Sequence, residues 1–292
     1  IEEQLKVRVY GYVPVVSECV LESRYLGLQI PEEVEKIDEK LEHLSRVMED
    51  TVDLDGILEL ARNVSAMQED IQVKEHLLNL SDTLQKGIRI AVAHDEAFCF
   101  IYPDNLEILK KLGAEIVTFS PIHDRSLPEN IQGMVLYGGY PELYAKELSE
   151  NDSMRESICH AVTLGVPCIA ECGGFMYLHE KIRDREGKDW PMVGRIRGIS
   201  YPTGKLVRFG YVNVIPMSET CKKEWLPEGT SLRGHEFHYW DSTENGEDCM
   251  AVKPDGKRSW SCIHAEPGLF AGYPHLYYPS NRAWIENFLK CR

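Results

Sequence analysis

The residues with the clearest chemical potential lie at 170–178, where the sequence AECGGFMYL places a cysteine between an acid and two glycines. The apolar run GVPCI precedes it, so Cys172 is predicted to lie where a buried strand turns into a helix. Unpaired N–H groups at a helix start favour a thiolate and can hold a developing oxyanion. Gly173 and Gly174 tolerate the backbone geometry of a tight nucleophile turn. The pattern favours a nucleophilic role for Cys172 over that of a small buried hydrophobe.

A cysteine nucleophile needs a base, usually a histidine that is near in space and not necessarily in sequence. The chain contains ten histidines. Three of them lie in strand-like aromatic segments beside turn residues, namely His235 and His238 in RGHEFHYW and His275 in AGYPHLYYPSN. Residue spacing alone does not choose among these three.

A second glycine turn, LYGGYPELY, also follows a predicted strand. If the two strands are neighbours, backbone N–H groups of Gly138 and Gly139 would form the other half of an oxyanion hole. A glycine-rich β-turn without a catalytic role is the alternative for this segment taken alone. Glu142 in this turn and Glu171 beside the cysteine are candidates for contacting substrate or orienting the catalytic groups.

The elements that must position these residues alternate from Ile88 onward. Predicted strands at IRIAVAH, AEIVTFSP, GMVLYGGYP and VPCIAEC are interspersed with helices at NLEILKKLGA and MRESICHAVTLG. This order predicts an α/β fold with a mostly parallel sheet and helices on both faces. Sites in such sheets form beyond the carboxyl ends of the strands, where HDEAF, YGGYPE and ECGGF fall.

The N-terminal part of the chain differs in character. VRVYGYVPVV predicts a lone β-strand over residues 7–16, and residues 31–86 predict a helical connector with acids between its apolar positions. Pro31 suits the start of the first connector helix, and Asp53 or Asp55 suits the cap of a second.

The composition limits the classes of function. The 292 residues include 32 Lys and Arg against 47 Asp and Glu, a net charge of −15, which disfavours a nucleic-acid-binding face. An anionic substrate would therefore need a local basic pocket. Nine cysteines without a CxxC pair suggest neither a zinc site nor a disulfide framework. Without a signal sequence or an apolar run near the roughly 18 residues of a membrane span, we expect a cytoplasmic protein without a membrane partner.

Several of these segments resemble a known family, in the same order along the chain. LYGGYPELYAKEL, GVPCIAECGGFMYL, RGHEFHY and GYPHLYYPSN are similar to the glutamine amidotransferase half of the cobyrinic acid a,c-diamide synthase family, which includes hydrogenobyrinate and nickel-sirohydrochlorin amidating enzymes. The similarity begins at about Val9, and SRYLGL at residues 23–28 is similar to the end of the family's ATP-binding domain. The resemblance implies the flavodoxin-like fold of class I glutamine amidotransferases.

The resemblance also implies roles for individual residues. Cys172 would attack the glutamine side-chain amide to form a glutamyl thioester, and His275 would assist it, which decides among the histidines. Gly139 and Gly173 would offer the oxyanion-hole amides. The product would be ammonia for a ligase that amidates the a- and c-acetates of cobyrinic acid in cobalamin biosynthesis.

The ligase chemistry needs a part that this chain lacks. No GxxxxGK[ST] phosphate loop occurs, so ATP and Mg²⁺ are expected only for the full-length enzyme, with no cofactor in this chain. We expect residues 1–86 to be the remnant of the ATP-binding domain plus a linker, and residues 87–292 to be the amidotransferase domain. The tetrapyrrole would then be bound through the missing synthetase domain, and a homodimer is one expected assembly.

One further feature departs from the wider fold family. His275 is followed by Leu276 and Tyr277 instead of an acid two residues later, which leaves the third triad member open, with Glu236 and Glu266 as candidates. For the residues of RGHEFHY and for Arg208, the sequence supports a substrate contact and a structural role in the core equally. Two alternatives also stay open, the glutaminase domain of cobyric acid synthase and a non-catalytic docking module.

Overall fold

The computed structural model describes residues 1–21, 23–24, 27–28, 31, 34–65 and 87–290. The chain divides into two compact units, residues 1–74 and residues 75–292. The described helices and strands of the first unit are α1 (Glu2–Leu5), β1 (Ser23–Arg24), β2 (Gly27–Leu28), α2 (Ile37–Thr51) and α3 (Leu54–Arg62). Within the described residues, no helix is long and apolar enough to cross a bilayer.

The connector helices largely follow the sequence pattern. Helix α2 starts at Ile37, later than the expected start at Pro31, because Lys36 adopts a left-handed conformation with φ 57° just before it. Asp53 caps α3 as predicted, since its Oδ1 accepts the backbone N–H of Gly56 at 2.9 Å. The predicted connector residues 66–86 lie outside the described part of the chain.

The predicted strand over residues 7–16 does not form. Its one sheet-like contact is an isolated antiparallel bridge between Gly11 and Val52. The β-branched composition suits a pleated, half-buried surface, but Val15 is 95% exposed and the described residues offer this segment no neighbouring strand. The composition was therefore misleading because strand formation depends on a partner. Within residues 23–28, β1 and β2 pair antiparallel.

The second unit contains fifteen described strands and six described α-helices. The strands are β3 (Ile88–Ala93), β4 (Ala114–Phe119), β5 (Gly133–Leu136), β6 (Cys168–Glu171), β7 (His179–Arg183), β8 (Asp189–Pro191), β9 (Ile196–Pro202), β10 (Arg208–Pro216), β11 (Leu232–His238), β12 (Trp240–Ser242), β13 (Cys249–Val252), β14 (Ser259–Cys262), β15 (His264–Glu266), β16 (Leu269–Gly272) and β17 (His275–Leu276). The helices are α4 (Pro103–Lys111), α5 (Ala145–Glu150), α6 (Asp152–Thr163), α7 (Gly173–Leu178), α8 (Glu219–Glu224) and α9 (Arg282–Lys290).

The central sheet has the strand order β15-β16-β6-β5-β3-β4 and is parallel except where β15 pairs with β16. Side chains alternate along β3, so Ile90 and Val92 pack in the core cluster that holds α4 and α9. Ala91 and Ala93 pack in the opposite cluster, with α6 and α7. Helices therefore cover both faces, and the predicted α/β fold with a mostly parallel sheet is confirmed.

The sheet brings the predicted turns to one edge. Strands β3, β5 and β6 end at Ala93, Leu136 and Glu171, and neighbours among them run parallel, so the turns that follow emerge on the same side. Phe100, downstream of β3, forms a β-bridge with Gly138, downstream of β5. The carboxyl edge of the sheet is therefore the place where chemistry-bearing residues gather.

Two further sheets follow the fourth parallel strand, one antiparallel and one mixed, because β7 and β9 pair in parallel. One has the order β14-β13-β10-β11-β17, and the other the order β12-β9-β7-β8. The strand-like histidine segments form β11 and β17, in which His235 and His275 are register partners. The first of these sheets therefore carries all three candidate bases.

Candidate active site

Cys172 occupies a strained turn between β6 and α7. Its φ of 47° and ψ of −103° are a conformation that non-glycine residues rarely adopt, with a cost of about 1–3 kcal/mol. Its backbone N–H donates to Gly272 O at 2.9 Å, and its carbonyl accepts the N–H of Met176 at 2.9 Å. These contacts hold the thiol at the end of the strand, in the arrangement of a nucleophile elbow.

The two glycine turns pack directly on each other. A Cβ on Gly173 would lie 3.0 Å from Gly139 N, and a Cβ on Gly138 would lie 2.3 Å from Cε1 of His275. The N–H of Gly174 donates to Tyr137 O at 3.0 Å. The turn at residues 138–139 therefore touches the nucleophile turn and also the His275 ring, and neither approach would leave room for a side chain.

His275 lies on β17 and is 6% exposed. The rings of Phe100 and Tyr102 stand at 6.4 Å and 6.1 Å between centroids from the imidazole. Its Nδ1 atom has no hydrogen-bond partner in the described part of the protein. The ring is thus held by packing against aromatic groups and Gly138. No described carboxylate accepts a hydrogen bond from its Nδ1 atom.

Burial keeps the thiol and the imidazole uncharged. It raises the pKa of Cys172, the nearby Glu142 carboxylate raises it further, and the N–H of Gly173 opposes the shift only in part. Burial, with smaller contributions from His235 and His238, lowers the pKa of His275 to about 3. At neutral pH the free site therefore holds a thiol and a neutral imidazole, in contrast to a preformed thiolate–imidazolium pair.

Glu171 supports the strand that carries His275. Its side chain is fully buried, and Oε2 accepts the backbone N–H of Leu276, the residue after His275, at 3.2 Å. Burial raises the pKa of Glu171 to about 8, against smaller lowering effects of Tyr278 and the Leu276 N–H. Of the two candidate roles for Glu171, the geometry therefore favours orientation, exerted through the backbone.

Asn105 on α4 holds the same strand from the other side. Its Nδ2 donates to Leu276 O at 2.8 Å, and its Oδ1 accepts the N–H of Tyr278 at 3.0 Å. Sequence reasoning missed this residue, because within NLEILKK it has the pattern of an ordinary helix position. The only available signal, a buried polar side chain, appears once the tertiary fold is known.

His238 is built into the interior. Its Nδ1 donates to Trp240 O at 2.7 Å, its Nε2 lies 3.1 Å from Glu236 Oε2, and its ring stacks on Tyr273 at 4.0 Å. The indole N–H of Trp260 donates to the other Glu236 oxygen at 3.0 Å. Both ring nitrogens of His238 are engaged in this network, so the geometry favours a structural role.

His235 faces the same side of its sheet as His275. Its ring packs edge-on against Phe209 and Tyr211. Burial and the charge of Lys253 lower its pKa. A cavity of 590 Å³ lies beside these two histidines and is lined also by Tyr102 and Tyr211.

The remaining sequence candidates lie apart from the His275 ring. Arg208 stacks over Trp260 at 4.9 Å and donates to Val207 O at 3.0 Å. Glu266 pairs with Arg195 at 2.5 Å. Neither Glu266 nor Glu236 hydrogen-bonds His275 in the described structure, so the geometry gives no support to either acid as a ring-orienting triad member. No group of three metal-ligating side chains is found among the described residues.

The fold and the nucleophile turn together define a glutamine amidotransferase domain. The family described as the CobB/CobQ-like glutamine amidotransferase domain matches residues 89–283, and the chain belongs to this family.

Among curated proteins, the cobyrinate a,c-diamide synthase of Caldanaerobacter subterraneus subsp. tengcongensis is 37% identical over 99% of this chain and 62% of its own length. The enzyme of that name from Listeria innocua is 38% identical over 97% of this chain and 61% of its own length. The chain thus spans about 62% of the length of these relatives.

Solved structures are more distant. A glutamine amidotransferase crystal structure matches 69% of this chain and 97% of its own, with 16% identity and a TM-score of 0.46. A glutamine amidotransferase from Thermotoga maritima matches 70% of this chain and 81% of its own, with 12% identity and a TM-score of 0.45.

Proposed function

We propose that this chain hydrolyses L-glutamine through a Cys172 thioester with His275 as the base. The ammonia would serve an ATP-dependent ligase that amidates the a- and c-acetates of cobyrinic acid. The observation that carries the first step is the contact of residues 138–139 with both the strained cysteine turn and the His275 ring.

In the first half-reaction, the Cys172 sulfur attacks the amide carbon of glutamine and the thiol proton passes to the neutral imidazole of His275. Backbone N–H groups of Gly139 and Gly173 stabilise the oxyanion. The tetrahedral intermediate collapses with cleavage of its C–N bond, and His275 returns the proton to the leaving nitrogen, which departs as ammonia.

In the second half-reaction, water attacks the thioester carbon while His275 takes its proton. Collapse of this intermediate breaks the C–S bond, and the proton returns to sulfur as glutamate leaves. Because the raised pKa of Cys172 disfavours a resting thiolate, proton transfer is coupled to attack on bound substrate. This coupling limits unproductive thiolate chemistry when glutamine is absent.

The glutaminase step is tested by measuring ammonia release from glutamine for the wild type, Cys172→Ser and Cys159→Ser. Cys159 is a half-buried cysteine on α6 and serves as the matched control. We expect Cys172→Ser to lose at least about 1,000-fold in rate and Cys159→Ser to stay near wild type. Equal rates in the wild type and Cys172→Ser would exclude the proposed nucleophile.

The ligase assignment is supported by the name shared by the 37–38% identical relatives, and it needs the longer protein. ATP and Mg²⁺ would be bound by the part of the relatives' length that this chain does not span. The test uses the full-length gene product with cobyrinic acid, ATP and Mg²⁺. We expect Cys172→Ser to abolish glutamine-dependent amidation and to retain amidation with free ammonia. Amidation of other side chains would instead indicate a cobyric acid synthase, and glutamine-dependent ligation that survives Cys172→Ser would leave this part a docking module.

A further inference from the structure

A groove of 730 Å³ lies at the β13–β14 turn and the start of β10, outside the site described above. Four cationic side chains line it, contributed by Arg208, Lys253, Lys257 and Arg258. We call it the basic groove. It is unexpected on a chain with a net charge of −15, because randomly placed charges would put acids among its lining residues.

No carboxylate lines the basic groove. The two acids that act on Lys253 lie outside the lining: Asp255 Oδ1 accepts the backbone N–H of Lys257 at 3.0 Å, and Glu236 accepts the indole N–H of Trp260. Among the described residues, none of the four cations forms a salt bridge. Burial and then the charge of Arg258 lower the pKa of Lys253, against the smaller raising effects of Glu236 and Asp255.

Apolar surface lies between these charges. The ring of Trp260 has the Arg208 guanidinium 4.9 Å from its centroid, and Phe209, 60% exposed, forms another part of the wall. Lys253 donates to the backbone oxygens of Phe209 and Tyr211 and so fixes the wall. Three of the cations lie at the β13–β14 turn and the fourth, Arg208, lies on β10, so cations border the aromatic surface from two elements. This arrangement suits a flat apolar body with carboxylates at its rim.

The basic groove is close to the ammonia-producing site. Phe209 pairs with Phe237, and His235 pairs with His275, so Phe209 and His275 are two strands and two residues apart. With strands about 4.8 Å apart and a rise of about 3.4 Å per residue, their Cα atoms are roughly 12 Å apart. A ligand in the groove would therefore lie on the same side of the domain as the base.

We propose that the basic groove binds the carboxylated rim of a planar polycarboxylate, the chemical class of the tetrapyrrole acid named above. The choice of ligand rests on the proposed function, whereas the groove and its charge do not. In this arrangement the amidotransferase domain holds the acid-bearing substrate beside the ammonia source. Each amidation removes one negative charge, so the product is held less tightly than the substrate.

The test measures binding of cobyrinic acid to this chain by equilibrium dialysis at about 20 mM and about 300 mM salt. We expect the double variant Lys257→Ala/Arg258→Ala to bind about tenfold more weakly at low salt, with most of the difference lost at high salt. Lys110→Ala/Lys146→Ala removes the same charge elsewhere and should change affinity less than about twofold. The same ring with every rim carboxylate amidated should bind at least about tenfold more weakly to the wild type.

Three outcomes would overturn the proposal. The first is equal affinity of the wild type and the Lys257/Arg258 variant for cobyrinic acid. The second is equal affinity of the wild type for cobyrinic acid and for the fully amidated ring. The third is binding of ATP that is tighter than that of cobyrinic acid and depends on the same two residues. The glutaminase reaction is assayed separately. Cys172→Ser should lose ammonia release and still bind cobyrinic acid like the wild type. Failure of one proposal can therefore be told apart from failure of the other. The Lys257/Arg258 variant should release ammonia at the wild-type rate.

Discussion

Glu171 offers the sharpest test of how the site is held together. Its carboxyl group is buried, accepts the Leu276 N–H, and has a pKa raised to about 8 from an ordinary value of 4.5. Replacing Glu171 with glutamine keeps an acceptor oxygen of the same reach and removes the ionisation. Replacing it with alanine removes the acceptor as well. The two variants therefore separate the charge of this residue from its hydrogen bond.

The sign of the pH effect follows from the direction of the shift. Because the pKa of this acid is higher in the folded state than in the unfolded state, ionisation opposes folding. The contribution of Glu171 to the free energy of unfolding is most favourable below the unfolded-state pKa of 4.5. It decreases as pH rises toward about 8 and is constant above that pH. Between about pH 5.5 and about pH 8.5 the loss from this one group is about 3 kcal/mol. Glu171→Gln has no such group and should gain that amount relative to the wild type across the interval.

The measurement is chemical denaturation of wild type and Glu171→Gln at several pH values in that interval. Glu266→Gln, which removes an acid paired with Arg195 near the surface, is the control and should parallel the wild type within about 1 kcal/mol. At neutral pH, glutaminase turnover of Glu171→Gln should stay within about threefold of wild type. Glu171→Ala should lose at least about tenfold, because an unsatisfied Leu276 N–H costs about 1–3 kcal/mol beside the base. Parallel stability curves for wild type and Glu171→Gln, or full turnover in Glu171→Ala, would refute the reasoning.

Further expectations concern the base, the glycine contact and the protonation states. His275→Ala should lose at least about 100-fold in kcat, whereas His238→Ala should mainly lower the melting temperature, and the opposite order would identify His238 as the base. Gly138→Ala should abolish turnover because its Cβ would lie 2.3 Å from the His275 ring. Gly187→Ala meets no neighbouring atom, so it should cost only the backbone strain of its φ of 86° and keep turnover. Because the pKa of His275 is about 3, kcat/KM should show no acid limb near the ordinary histidine value, and a limb near pH 6.5 would contradict a buried neutral base. Alkylation of Cys172 in the free protein should still accelerate above about pH 9, and a plateau below neutrality would show a resting thiolate instead.

The parallel half of the fold was predictable because its signals are local. Each strand from Ile88 to Glu171 is a short apolar run followed by turn residues, and a parallel sheet places all those turns at one edge. The nucleophile turn followed from the same logic. The choice of base did not, because His235, His238 and His275 all lie in strand-like segments. What separates them is the antiparallel pairing, which places His238 toward the Tyr273 side and His275 against Gly138. That pairing depends on contacts distant in sequence.

The missing acid after His275 is the clearest case in which local sequence and tertiary structure diverge. Where an acid contacts the imidazole, it orients the ring and also stabilises the imidazolium. Here Glu171 and Asn105 fix the backbone of Leu276, while Gly138 and aromatic rings confine the imidazole. Orientation is thus supplied without a charge on the ring, and the same burial that lowers the pKa of His275 keeps the imidazole neutral. In the proposed mechanism, an imidazole held without an ionic partner becomes charged only when the Cys172 sulfur attacks bound glutamine, so activation of the thiol would be coupled to substrate binding.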